Sequence, residues 1–356
     1  MRVGVSMIDG VDNTVLYGVA GAGLFVLIVA VSAISMHLNR QRAVSDERQV
    51  HKLRRKRVAR YEDAKKDYEK FRKKIESGNT VLIDLIHDLG DDFVGRDSAQ
   101  QQIAFDEAFE AVASVRQANP RARIIVVLHT LGGYARPAHM ISLALKQHLA
   151  KAKAKGHYNP KREPQVIAYV PYVAMSGGTM IALAADKIVM DPTASLGPID
   201  TIYGGFPTEA YKELLAQKGP LATQDVLVML AHEAEKYDRY AGKVARDIVN
   251  PVHRVDEKVE HHIADTLSAG TLSHSQAITP EDAKALGMNV KTKIPDLIYG
   301  LVDARIRMIH TRLEFEARRM EDEDGHGEGK GDDAEQAVGQ VIERAIRQSL
   351  RGNVRL

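Results

Sequence analysis

Apolar and polar positions fall into three regimes along the chain. The first is residues 15–36, VLYGVAGAGLFVLIVAVSAISM, a run of 22 residues without a charge. As a helix it would be about 33 Å long, enough for a hydrocarbon core of about 30 Å. A cleaved signal peptide wants a basic start and a shorter apolar stretch. Here the leader sets Arg2 against Asp9 and Asp12. The pattern predicts one retained transmembrane helix over 15–36 behind a short N-terminus over 1–14.

The second regime is polar and basic. Residues 37–76 hold 15 Lys and Arg against 7 Asp and Glu, including the run Arg54-Arg55-Lys56-Arg57. No proline interrupts this stretch and the first glycine is Gly78. A basic juxtamembrane helix over 37–78 is therefore predicted. Lys and Arg stay on the cytoplasmic side of a membrane. That expectation puts the N-terminus outside and the rest of the chain on the cytoplasmic side. The same residues could grip anionic lipid headgroups at about 1 kcal/mol each. A solvated helix laced by i,i+4 pairs is the plainer reading of them.

The third regime alternates. Residues 80–87, 123–129, 165–170 and 187–190 are short apolar runs with strand character. Between them, 99–118, 135–155 and 177–185 carry helical spacing. This rhythm predicts an α/β domain over 79–300, with a parallel sheet and helices packed around it. Strands apolar on both faces agree with that. Further helices are predicted at 208–217, 224–250, 256–268, 280–286 and 296–320, the part over 301–320 lying beyond the domain. Residues 321–333, EDEDGHGEGKGDD, read as a flexible linker. Residues 334–356 read as an amphipathic helix and tail, with Ala334, Val338, Val341, Ala345 and Ile346 on its apolar stripe.

Composition then narrows the function. With 49 basic and 47 acidic residues the net charge is +2, which argues against nucleic-acid binding driven by charge. The absence of cysteine excludes a disulfide scaffold, thiolate metal sites and a cysteine nucleophile. The absence of Trp and an aromatic content of 5% argue against a base-stacking platform. His261 and His262 have Glu257, Glu260 and Asp265 nearby, but the spacing matches no zinc signature.

The candidate chemistry sits where the third strand ends. Ser176-Gly177-Gly178 opens a helix of small residues. A helix N-terminus presents unpaired N–H groups and the positive end of the dipole. An oxyanion can be stabilised there. Ser176 is then either a nucleophile or an ordinary N-cap. A second glycine pair, Gly132-Gly133, follows the second strand. Parallel strands present their carboxyl ends on one side, so this pair can bring another amide to the same rim.

The segments LHTLGGYARPA, YVPYVAMSGGTMIALAADKIVMDPTASLGPID and ITPEDAKALGM resemble the Clp-protease/crotonase superfamily. More narrowly, they resemble the membrane-anchored serine dehydrogenase proteinases, relatives of signal peptide peptidase A. The resemblance implies a Clp-protease/crotonase-like spiral of β-β-α units, here preceded by one transmembrane helix and followed by helical C-terminal extensions. It implies a serine peptidase with Ser176 as nucleophile and the amides of Gly133 and of Gly177, or of Ser176 itself, as oxyanion hole. It implies a protein or peptide substrate, in one version drawn from the membrane, and a homo-oligomer. No cofactor, metal or nucleic acid is expected.

The base is open. Serine is inert at neutral pH without one. Clp-type enzymes use a histidine soon after the serine, but no His lies between Ser176 and His232. Signal peptide peptidase A relatives use a lysine 40–50 residues downstream, and Lys218 is favoured here because it precedes a Pro-containing turn rather than lying mid-helix, with Lys212 as the alternative. A lysine base has to be brought down from about 10.4 to about 7. His274 is the rival, because it could act without such a shift. Two other functions share the fold. One is a crotonase-like acyl-CoA enzyme, which would not need Ser176. The other is a catalytically degenerate membrane scaffold.

Overall fold

The computed structural model describes residues 13–89, 102–158, 165–203, 206–249, 257–268, 272–273 and 276–324, with the backbone alone for 13–33, 43, 46–47, 203, 257–261 and 313–324. The linker and amphipathic helix expected over 325–356 lie outside the described residues. The chain divides into two units, Met1–Arg60 and Tyr61–Leu356.

In the first unit the backbone is helical from Asn13 onward, as part of helix α1 (Asn13–Ile75). Ile34 and Met36 are exposed at 60% and 69%. Among the residues whose side chains are described, no helix is long and apolar enough to cross a membrane. Most of the 15–36 run falls outside that set.

The second unit is built on a five-stranded sheet in the order β1-β2-β3-β5-β9. These strands are Thr80–Ile86, Arg123–His129, Val166–Val170, Lys187–Met190 and Val290–Lys291. Every neighbouring pair is parallel. The connections carry α2 (Phe105–Gln117), α3 (Ala135–Ala154) and α4 (Gly177–Leu183). Two-residue strands β4 (Val173–Ala174) and β6 (Ser195–Leu196) form a small parallel sheet of their own. Each therefore follows a main strand, which is the β-β-α rhythm of the resemblance. An antiparallel pair, β7 (Ile202–Tyr203) and β8 (Phe206–Pro207), leads into the helical part. That part holds α5 (Thr208–Lys218), α6 (Asp225–Ile248), α7 (Glu257–Ser268), α8 (Pro280–Ala285) and α9 (Asp296–Asp324).

Period-two alternation sorts the strand side chains into two cores. Ile124, Val126 and Leu128 of β2 join Ala138, Ile141 and Leu145 of α3 and the whole buried face of α4. Val127, on the opposite face, joins Leu82, Ile86 and Val189 under Ala64, Tyr68 and Ile75 of α1 and Leu301 and Val302 of α9. Asp84 lies on that second face, 6% exposed, with Arg72 at 3.1 Å and the Tyr68 hydroxyl donating to it. Burial pushes its carboxyl up, and Arg72 pulls it back.

Candidate active site

The site lies at the carboxyl end of the sheet, where β2 and β3 give way to loops. The β4 strap is stitched to the end of β2. Thr130 N–H donates to the Val173 carbonyl and Met175 N–H to the Thr130 carbonyl, both at 3.0 Å. Gly178 N–H closes back on the Met175 carbonyl at 2.7 Å. The Thr179 hydroxyl lies 2.7 Å from the Ala174 carbonyl and 2.8 Å from that of Gly197. These bonds leave the backbone of Ser176 little choice.

Ser176 sits at φ 48°, ψ −115°, the one non-glycine residue with positive φ among those described. Such a conformation costs about 1–3 kcal/mol and persists only where its surroundings impose it. The strain aims the serine differently from an N-cap. Its side chain makes no capping hydrogen bond, and the residue is half-buried rather than enclosed. A hydroxyl neither walled off nor spent on its own helix is available to react.

Two amides lie beside this point. A Cβ placed on Gly132, whose φ is +107°, would come within 2.7 Å of the Ser176 Cβ, so only glycine fits against the serine. The Gly132 carbonyl accepts from Ile103 N–H at 2.8 Å. In a trans peptide the next N–H points the opposite way. That is Gly133 N–H, whose nitrogen lies 3.6 Å from where a Gly177 Cβ would stand. Among the described residues the Gly133 and Gly177 amides donate to no acceptor. Unpartnered donors beside a strained serine are what a developing oxyanion requires.

Two of the three candidate bases fall among the described residues. Lys218 is the last residue of α5, exposed, and in no ion pair among the described residues. Lys212 lies between Asp238, at 2.7 Å, and Glu209. Partial burial works to lower its pKa, but its hydrogen bonds to these two carboxylates outweigh that and hold it above the ordinary lysine value. His274 lies outside the described residues. Among those described, no side-chain nitrogen is hydrogen-bonded to Ser176. α5 packs against α6 and β8, and α6 against α3 and α4. No group of His, Asp and Glu suited to a metal ion occurs among the described residues.

Residues 51–316 match the family of ClpP-like SDH-type serine proteinases. This chain belongs to that family. The proteinase is also 32% identical over 225 residues to the uncharacterized protein MJ0137 of Methanocaldococcus jannaschii, covering 63% of this chain and 73% of that one. It is 30% identical over 204 residues to MJ1495 of the same organism, covering 56% and 63% respectively. Among solved structures, a lysine-to-alanine mutant of the 1510-N membrane-bound stomatin-specific protease, in complex with a substrate peptide, aligns with 20% identity and a TM-score of 0.34 over 55% of this chain and 74% of that one. A serine-to-alanine mutant of the same protease aligns with 21% identity and a TM-score of 0.33, over 56% and 79%.

Sequence reasoning named Ser176 and both glycine pairs, which the fold brings together. It missed Ile103, whose backbone orients the Gly132–Gly133 peptide, and the buried His87 behind that turn. A histidine directly after a buried strand, as His87 follows β1, was the available signal.

Proposed function

We propose that this serine proteinase hydrolyses peptide bonds through Ser176, with Lys218 as base and the amides of Gly133 and Gly177 as oxyanion hole. Ser176 Oγ attacks the scissile carbonyl, and its proton passes to the Lys218 amine. The carbonyl oxygen, now negative, accepts from both amides. The tetrahedral intermediate collapses and the leaving amine takes the proton. Water then hydrolyses the acyl-enzyme by the same route. The observation that carries this reading is the strained, uncapped Ser176 beside two unpartnered amides.

Lys218 is preferred to Lys212 because the latter is already neutralised by Glu209 and Asp238. An exposed lysine is protonated at neutral pH. Substrate, or a second copy of the chain, covering the end of α5 would take Lys218 out of water, the condition under which an amine serves as a base. The exposed Leu221, Val226 and Met229, just beyond it, favour such a covering in a homo-oligomer.

The anchor belongs to the same reading. Residues 15–36 span the bilayer, the basic residues over 37–60 lie against anionic headgroups, and the catalytic domain faces the cytoplasm. Hydrolysis of fluorophore-labelled casein by the wild type and by Ser176→Ala tests the chemistry. Cleavage by the wild type alone supports it. Equal cleavage by both overturns it.

A further inference from the structure

The Gly132 end of the oxyanion turn is tied to a buried polar chain that the reaction does not touch. His87 follows β1, and its side chain is 2% exposed. Its Nδ1 lies 2.7 Å from Thr130 Oγ1, and its Nε2 lies 3.2 Å from both carboxylate oxygens of Glu107. Gly132 N–H donates to Thr130 Oγ1 at 3.0 Å.

Thr130 Oγ1 accepts from Gly132 N–H, and its hydroxyl reaches the Gly132 carbonyl at 3.3 Å, a carbonyl that also accepts from Ile103 N–H. One hydroxyl thus holds both ends of Gly132, and His87, itself bonded to Glu107, fixes that hydroxyl from behind.

A Gly-Gly peptide has the freest backbone in the chain, so its orientation has to be imposed from outside. We propose that His87, backed by Glu107, is a positioning residue: it holds the Thr130 hydroxyl against Gly132 and so keeps Gly133 N–H aimed at the oxyanion. This rests on the serine peptidase reading above.

The test is the rate at which a fluorophosphonate probe labels Ser176, resolved into kinact and its half-saturating concentration. Thr130→Val and His87→Phe lower kinact by about 10- to 100-fold, the scale of weakening one oxyanion donor. Half-saturation stays within about twofold, because binding is untouched. His87→Asn, whose side-chain amide can bond the Thr130 hydroxyl where Nδ1 did, recovers most of the rate, as does Thr130→Ser. The double variant of Thr130→Val and His87→Phe is no slower than either alone. Should His87→Phe fail to fold, Thr130→Val decides, since it removes only a hydroxyl.

Wild-type kinact in a folded Thr130→Val overturns the inference. So does His87→Asn as slow as His87→Phe, or a loss confined to half-saturation. These outcomes are distinct from failure of the serine reading, in which the wild type itself does not label at Ser176.

Discussion

Gly132 lies so close to Ser176 that a single added methyl group would stand 2.7 Å from the serine Cβ. The oxyanion turn and the nucleophile are thus built against each other across 44 residues of sequence. Gly132→Ala must displace one of them, and it also forces an L-residue to φ +107°. A loss of at least about 100-fold in peptidase rate is expected, on the scale of a lost oxyanion donor. Strain adds a destabilisation of about 1–3 kcal/mol. Rate and urea unfolding measured on the same sample check both.

The strain at Ser176 predicts a trade between stability and function. Ser176→Gly relieves the positive φ, worth about 1–3 kcal/mol, and gives back about 0.5–1 kcal/mol of backbone entropy. The net expectation is an inactive protein about 1 kcal/mol more stable than wild type. Urea denaturation showing clear destabilisation would contradict the strain argument.

The candidate bases separate by substitution. Lys218→Met is expected to cut the fluorophosphonate labelling rate by about 100-fold or more. Lys212→Met is expected to leave it largely intact, because the Lys212 ammonium is held by Glu209 and Asp238. The reverse ranking, or a collapse seen with His274→Ala alone, would reassign the base.

Asp84 buries a charge between two helices and the sheet. Asp84→Ala leaves Arg72 facing an apolar wall, and breaking a buried pair costs about 3–5 kcal/mol. The low end is expected, because the Arg72 side chain is 33% exposed. Chemical denaturation measures it directly.

His129 should make stability fall with acid. Burial lowers its pKa from 6.5 to about 4 in the folded chain. Between those values the unfolded chain binds a proton that the native one refuses. The unfolding free energy therefore drops as pH falls from 6.5 towards 4, at up to about 1.4 kcal/mol per pH unit. His129→Phe, which keeps an aromatic ring against Tyr172, should flatten that slope. An unchanged slope would assign it to other groups.

Much of this architecture could be read in advance. β2 and β5 begin and end where their apolar runs do, because a strand buried on both faces leaves an unbroken hydrophobic signature. The α2 boundary was misread: helical spacing suggested a start at 99, whereas the helix begins at Phe105. Ile103 is instead bridged to Gly133, a pairing across 30 residues that propensity cannot register. The two-residue strands β4, β6 and β9 are too short for any period to show. Ser176 was legible because glycines after a strand mark a helix start that backbone can approach closely. The relay of His87, Thr130 and Glu107 was not, since its members meet only in the folded chain.

The most direct measurement is mass-spectrometric mapping of the fluorophosphonate adduct on the full-length protein. The account predicts one modified residue, Ser176, with no adduct in Ser176→Ala. A proteolytically active protein that carries the adduct elsewhere, or that stays active as Ser176→Ala, would contradict it.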